Sequence, residues 1–520
     1  MENHNHNHST QNSSLPKINL ETYGKQTSVQ EQEFIKGELK KIFSKTGEVL
    51  QRDKHIIIDN GGFDEELITK AIKSFKHFCP SHPTQSNGSN NFRSQTDQFP
   101  GAQPVSFQQS NIYQIQQHKF IVCEKSDGLR YFLIETNKKE FYIVDRQFNI
   151  RKVSPRYIDF SQTAPSAIVN IFDGELVLDN HQRDIPIFLV FDAMLVNGRS
   201  CMLESFTNRL LAGHNEIRRR VRSAQVQFMK NQGRNQNGRN LPKNIVDIYM
   251  KDMFRLQDVE YIFNNIVPKL QHENDGLIMT QDLCPYYPGT CQEILKWKPR
   301  HLNTIDFRLK LLSAHTHQSY LWGLQTCSYD RITKTKQLHL FDFIFFDYEV
   351  KDQNGQTEND RMRTLIQNSP DMVCIIECYL DDQYAHPHLI IFNKLKYELE
   401  NSSVLSEENN LEQLSQGFDF NMRLSYEDRE QFKGGWRFHR HRSERVDPNA
   451  QKSATSVLDS IKNGIEMQDL IHVCSSIPNL DNGHGNGRRR LRSSDGNDEE
   501  QDNQIKSSNK KQKQDEEDEY

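Results

Sequence analysis

The chain has 520 residues, 35% of them hydrophobic, with 65 Lys and Arg against 70 Asp and Glu and a formal charge of −5. That length holds more than one domain, while the low apolar share and the abundance of Asn and Gln leave part of the chain with little drive to fold. No apolar run approaches the ~20 residues of a membrane-spanning helix and no apolar signal core opens the chain, so the expectation is a soluble protein of the cytosol or nucleus, with no membrane partner.

Residues 1–27 read as a polar tail in which His and Asn alternate. In the extension that follows, 28–92, Val29, Phe34, Ile35, Leu39, Ile42 and Phe43 recur at helical spacing. Ile56, Ile57 and Ile58 come next, then a second helical pattern over 63–78, together an added layer on the main domain. The Ser, Asn, Gln and Pro of 79–98 mark a loop. The main domain is expected over 93–308. Apolar runs on both sides of Cys123-Glu124-Lys125-Ser126-Asp127-Gly128-Leu129-Arg130 predict two strands, with a short loop presenting Lys125 at a strand edge. Further strands are predicted at 141–146, on each side of an Asp173-Gly174 turn, and at 187–196, whose apolar run suits burial on both faces. Hairpins would dominate, giving antiparallel sheets in an α+β domain. The helical, basic stretch from Arg209 to Lys243, with Arg218, Arg219, Arg220 and Arg222, reads either as a solvated face or as a footprint for a phosphate backbone. Lys296 and Lys298 alternate about Trp297 and would point the same way from one strand. Short strands over 309–449 suit a small β-barrel, helical spacing returns in 450–478, and 479–520 is a charged tail. From Asp495 to Tyr520 that tail holds ten acidic residues and four lysines, net −6, so the remainder of the chain carries about +1. Nine cysteines form no Cys-x-x-Cys, and the closest pairs, Cys374 with Cys378 and Cys284 with Cys291, lack histidines at zinc spacing, so they read as reduced thiols.

The residues with chemistry fall in a fixed order: Lys125-x-Asp127-Gly128-x-Arg130, Asp145-Arg146, Asp173-Gly174-Glu175, Phe191-Asp192, Asp275-Gly276, Lys296-x-Lys298 and Arg440-x-Arg442. A lysine amine becomes a nucleophile when desolvation or neighbouring cations draw its pKa down from about 10.4. Each element also has a plainer reading: a surface turn for Lys125, core for Phe191, turn residues for Glu175 and Asp275, and a solvated surface for Lys251, Lys296 and Lys298. No Gly-x4-Gly-Lys, His-Glu-x-x-His or His-Cys-x5-Arg is present, which removes nucleotide-cradling loops, zinc peptidases and an attached cysteine-type RNA triphosphatase.

Taken together, these elements resemble the covalent nucleotidyltransferases, the superfamily of messenger RNA capping guanylyltransferases and ATP-dependent polynucleotide ligases. The segments 99–107, 189–193, 295–299, 303–307 and 436–449 are similar to the capping branch. The resemblance spans roughly 95–475. It implies a ligase-type nucleotidyltransferase domain followed by an OB-fold barrel, GTP as substrate, and transfer of GMP through Lys125 to the 5′-diphosphate end of RNA. It further implies Lys296 and Lys298 at the α-phosphate with Arg146 assisting, and Asp275 with Glu175 as the carboxylates for Mg²⁺ or Mn²⁺. Arg130 and Glu175 would hold the ribose, Phe191 would stack on guanine, and Lys251 would reach guanine O6. Arg440, Arg442 and Arg445 would meet the β- and γ-phosphates as the barrel closes. The family has Asp then Lys where this chain has Glu444 and Arg445. A separate RNA triphosphatase and the phosphorylated C-terminal repeat of RNA polymerase II are the implied partners. Arg488, Arg489, Arg490 and Arg492, with Lys510, Lys511 and Lys513, read either as a nuclear-import signal or as a solvated charge run. Two alternatives stay open: a ligase charging Lys125 with ATP, and a non-catalytic RNA-binding protein that keeps the fold.

Overall fold

The computed structural model describes residues 19–78, 99–156, 166–179, 185–231, 244–315, 319–330, 333, 335–346, 350–369, 373–400, 422–443 and 445–478. The His-rich terminus, the loop 79–98, Glu444 and the charged tail after 478 lie outside them. Two compact units emerge, one from 1–106, 111–297 and 470–520, the other from 107–110 and 298–469.

In the first unit, α1 (Val29–Arg52) starts at a capping box between Ser28 and Glu31 and buries Ile35, Leu39, Phe43, Thr46 and Leu50 along one stripe. α2 (Lys54–Gly61) and α3 (Glu65–Phe78) follow, and α3 buries Leu67, Ile68, Ala71 and Phe75. The strands are β1 (Lys25–Gln26), β2 (Ala102–Ser106), β3 (Phe120–Ser126), β4 (Leu129–Thr136), β5 (Phe141–Val144), β6 (Ile150–Pro155), β7 (Ile168–Val177), β8 (Ile187–Val196), β9 (Arg199–Ser200), β10 (Ile245–Met250), β11 (Phe254–Arg255), β12 (Asn274–Gln281) and β13 (Gly289–Trp297). They form two sheets: β1-β6-β10-β8-β7-β4-β5, with β9 on β8 and β5 also pairing β6, and β11-β3-β12-β13-β2.

Both faces of the first sheet are covered, which accounts for its long apolar runs. Phe132, Ile134, Ile171 and Met194 point into a core shared with α1, α3 and the segment Cys284 to Cys291. Their neighbours Tyr131, Leu133, Phe172 and Ala193 point into a second core, where Ile217 of α4 (Phe206–Asn231) joins them.

Several expectations change. Residues 19–27 are not tail: β1 pairs with β6, and Thr27 Oγ1 donates to the Ile150 carbonyl at 2.7 Å, so backbone pairing holds a stretch that is poor in apolar side chains. Residues 168–177 make one strand, since Asp173 and Gly174 are paired with β4 and β8 instead of turning. The sheets are mixed, with β10 parallel to β6 and β8, and β2 parallel to β13. The basic stretch of α4 is partly structural: Arg220 is buried and ion-paired with Glu135 at 2.6 Å and Glu216 at 3.1 Å.

The main segment of the second unit starts at Lys298, earlier than the expected boundary at 309, because β14 (Thr304–His315) already belongs to it. With β15 (Ser319–Tyr329), β16 (Lys336–Ile344), β17 (Ile375–Asp381) and β18 (Gly435–His441) it closes a barrel in the order β14-β15-β16-β18-β17. Ile305, Phe307, Trp322, Leu324, Ile344 and Trp436 fill it. Both indoles are satisfied, Trp322 donating to Asn359 at 2.8 Å and Trp436 to Asp342 at 3.1 Å. The C-terminal helical segment is two helices, Gln451–Lys462 and Met467–Ser476, and the division between units falls within the second.

Candidate active site

Lys125 lies inside β3, one residue before the strand ends, and not on a loop. The chain then turns at Asp127-Gly128 and enters β4, which belongs to the other sheet. This crossing carries Lys125 and Arg130 onto walls of one cleft. A Cβ on Gly128 would lie 2.5 Å from the Leu176 carbonyl oxygen and 2.7 Å from Val177 Cγ1, so the crossing admits only glycine without displacement.

Two strand irregularities aim the remaining groups. On β12, Asn274 faces Ser126 and Leu277 faces Glu124, so Asp275 and Gly276 together lie opposite Lys125 alone. The bulge turns Asp275 onto the amine, and Lys125 Nζ donates to its Oδ1 at 2.6 Å. On β8, Asp192 faces Asp173 while Val190 faces Gly174, so Phe191 is the unpaired extra residue and its ring lines the cleft.

The cleft holds a cavity of about 120 Å³, lined by residues that include Lys125, Arg130, Arg146, Glu175, Phe191 and Lys251. A larger cavity of about 360 Å³ between α1 and the β8–β9 region offers only Glu38 and Lys45 as charged groups and lies away from these residues. Glu175 stands opposite Arg130 in the β4–β7 register. Burial pushes its pKa up, against the opposing pull of Lys251, Lys125, Arg130 and Arg146. Among the described residues no hydrogen-bond donor reaches it. Arg146 follows the end of β5 in a turn fixed by Asp145, which accepts from the Gln147 and Asn149 amides at 2.8 Å each. Arg146 is exposed at the rim. Partial desolvation, then the Arg130 charge, draws its pKa below the usual guanidinium value.

Lys251 is not a surface lysine. Its side chain is 3% exposed and donates to the Glu124 carbonyl at 2.7 Å, with the Glu124 carboxylate at 3.0 Å. Burial opposes its charge, but Glu124, Cys123 and Glu175 together more than offset that and hold the pKa above the ordinary lysine value. Arg130 donates to both Asp173 oxygens at 2.9 and 2.6 Å and to the Ala102 carbonyl at 2.7 Å, with its guanidinium 5.5 Å from the Phe191 ring centroid. Asp173 also accepts from the Tyr286 hydroxyl at 2.6 Å. Beside this group Arg209 clamps Asp192 through two bonds, at 2.8 and 2.9 Å. Glu124, Asp173, Asp192, Arg209 and Tyr286 thus form the polar floor of the site.

Lys296 pairs with Ile278, which pairs with Cys123, and Ile278 and Cys123 both line the cavity, so Lys296 shares their face of the sheet. Lys298 lies past the end of β13 and falls in the second unit, so the expectation of two lysines on one strand holds for Lys296 only. Arg440, Arg442 and Arg445 cluster in the second unit. Arg440 meets Glu377 at 2.5 Å, Arg442 meets Asp306 at 3.0 Å and Glu377 at 3.2 Å, and Arg445 meets Asp306 at 2.8 Å. Two carboxylates therefore balance part of the charge of three guanidinium groups.

The family model for the mRNA capping enzyme catalytic domain matches residues 68–300, and that for the mRNA capping enzyme C-terminal domain matches 302–471, together more than half of the chain. The chain belongs to the mRNA capping enzyme family. It is 26% identical to the mRNA-capping enzyme subunit alpha of Schizosaccharomyces pombe over 72% of its own length and 79% of that protein. The subunit alpha of Neurospora crassa is 27% identical, over 73% of this chain and 85% of that protein. The mouse mRNA-capping enzyme is 31% identical over a shorter stretch, 47% of this chain and 41% of that protein.

Within this family member, the carboxylates expected to hold a divalent cation are Asp275 and Glu175. Their oxygens suit a hard ion. Asp275 is ion-paired with Lys125, and Glu175 faces into the same cavity.

Proposed function

We propose that this chain is an mRNA guanylyltransferase that transfers GMP from GTP to the 5′-diphosphate end of RNA. One observation carries the reading: the Lys125 amine, fixed by Asp275 at 2.6 Å, faces a cavity shared with Arg130, Arg146, Glu175, Phe191 and Lys251. The amine nitrogen attacks the α-phosphorus of GTP, a P–N bond forms, the bond to the β-phosphate bridging oxygen breaks, and pyrophosphate leaves. The Lys125 ammonium first releases one proton to solvent so that the neutral amine can attack, and the nitrogen releases a second as the P–N bond forms. The terminal phosphate oxygen of the RNA then attacks the same phosphorus and the P–N bond breaks, returning the lysine.

Such a displacement depends mainly on positioning and on neutralising phosphate charge. Asp275 sets the direction of the amine. Lys296 and Lys298 are assigned to the α-phosphate with Arg146 assisting, Arg130 and Glu175 to the ribose, and Phe191 to the base, a contact worth roughly 1–3 kcal/mol for stacked bases in general. Mg²⁺ or Mn²⁺ held by Asp275 and Glu175 would supply charge neutralisation at the phosphates. Arg440, Arg442 and Arg445, on a barrel we read as OB-type, are assigned to the β- and γ-phosphates. A separate RNA triphosphatase supplies the diphosphate end, the phosphorylated polymerase repeat is the proposed partner on transcripts, and the nucleus is the proposed location.

Lys251 favours GTP over the ATP of a ligase. An ammonium only donates, and guanine O6 accepts where the adenine 6-amino group does not. Incubation with α-labelled GTP and a divalent cation is expected to leave an acid-labile, alkali-stable label on the protein. Lys125→Ala is expected to abolish it. Label persisting in that variant removes the nucleophile, and stronger labelling from ATP establishes the ligase reading.

A further inference from the structure

The segment under the cavity floor carries a second cluster. Cys284, Cys291 and Glu293 are all buried, and their ligand atoms lie within 4.8 Å of one another. Sequence spacing gave no zinc pattern because no histidine stands nearby. The fold instead brings a carboxylate to the two thiols: β13 carries Cys291 and Glu293 on one face, and the loop before it folds Cys284 back against them.

We propose that Cys284, Cys291 and Glu293 form a structural binding site for one zinc ion. The distances have the right size. With Zn–S of about 2.3 Å and tetrahedral angles, two thiolates on zinc lie about 3.8 Å apart, and a thiolate and a carboxylate oxygen lie about 3.6 Å apart. Here Cys284 Sγ and Cys291 Sγ are 3.8 Å apart, and Cys291 Sγ is 3.5 Å from Glu293 Oε2. A disulfide would need the sulfurs at about 2.05 Å.

The surroundings are those of a metal site. Tyr287 donates its hydroxyl to Glu293 Oε2 at 2.5 Å, an outer contact that orients the carboxylate. Two thiolates and one carboxylate around a divalent cation leave one negative charge, and the Lys70 ammonium of α3 sits 3.8 Å from Glu293 Oε1 to balance it. The fourth position is left to a water. Zinc is held by thiolates, so binding releases the two thiol protons to solvent as the Zn–S bonds form. The ion would anchor the floor of the cleft, since the Cys284 carbonyl accepts from Arg209 at 2.7 Å and Tyr286 holds Asp173.

The full chain, purified under reducing conditions without chelator, is expected to contain one zinc per molecule by elemental mass spectrometry. Cobalt exchanged in is expected to give a thiolate-to-cobalt charge-transfer band. The double variant Cys284→Ser with Cys291→Ser should lose both signals. If that variant does not fold, Glu293→Gln and Tyr287→Phe carry the test, each expected to weaken zinc about tenfold or more in competition with a chromophoric chelator. Wild-type protein without stoichiometric zinc and without the cobalt band overturns the proposal. So does zinc retained by the double variant, which would place it on groups such as His4, His6 and His8, or a Cys284–Cys291 disulfide in the reduced preparation.

Discussion

Glu175 binds its proton more tightly than a carboxyl in water even though four cations surround it, because burial outweighs them. A carboxyl whose pKa is raised on folding makes the folded state take up protons, so stability falls as pH rises through the interval between the unfolded and folded values, and the penalty is complete above it. Glu175→Gln, which imitates the protonated form, should therefore be more stable than wild type near neutral pH. The gap should close in acid below the unfolded carboxyl value, as read from urea midpoints across pH. The same variant is expected to lose GMP labelling, a gain in stability bought with function. Lys251 and Glu124 depend on each other as a buried ion pair. Each is almost fully buried and each is the other's counter-charge. Glu124→Ala should cost about 3–5 kcal/mol by stranding the ammonium. Glu124→Leu combined with Lys251→Met should recover most of that in denaturant titrations while remaining inactive, which separates folding from nucleotide binding. Lys125 and Asp275 drew attention in the sequence as charged residues beside glycines, and Phe191 through the resemblance alone, and the fold brings Lys125 and Phe191 to one cavity with Asp275 bonded to the amine. The pairings of Glu124 with Lys251, Asp173 with Arg130 and Arg209 with Asp192 could not be found there, since each partner lies far away in the chain.

At the scale of strands and turns, apolar runs located most of the elements of the first sheet, but not how they join. Covered on both faces, β7 and β8 carry no alternation that would reveal register, so the extra residue at Phe191 and the continuous strand through Asp173-Gly174 were not legible. The bulge at Asp275-Gly276 was equally hidden, although Gly276, with φ of 151°, is the residue that permits it. Gly128 tests how tightly this geometry is set. An alanine Cβ would meet the Leu176 carbonyl at 2.5 Å, Val177 Cγ1 at 2.7 Å and Glu175 Cγ at 3.0 Å. Relieving these contacts moves either β7, with Glu175, or the turn, with Lys125. Gly128→Ala is expected to destabilise the protein by about 1–3 kcal/mol, as overpacking does, and to reduce the labelling rate at saturating GTP well beyond what lost folded protein explains. Full labelling of the folded fraction would mean that the crossing does not position the amine.

Across the whole molecule, the helices α1 to α3 are part of the main core and not an attachment. Phe43 and Phe75 are each almost fully buried, with ring centroids 6.3 Å apart, in the same cluster as Phe132, Tyr286 and Cys291. α1 and α3 approach closely at Gly47, where a Cβ would lie 2.8 Å from Phe75 Cβ. The amphipathic pattern announced these helices, but periodicity alone cannot say which surface an apolar stripe covers. Because this core backs the sheet that carries Arg130 and Glu175, damage to the extension should reach the site without touching it. Phe75→Ala is expected to cost about 3–5 kcal/mol. Hydrogen exchange followed by mass spectrometry should show faster exchange in β4, β7 and β13, while β14 to β18, whose core is made of Ile305, Phe307, Trp322 and Trp436, keeps its protection. Uniformly faster exchange in both units would show that they unfold as one cooperative body. Unchanged exchange in β4, β7 and β13 would show instead that the extension is only an added layer, and that residues 28–78 can be removed without loss of guanylyl transfer.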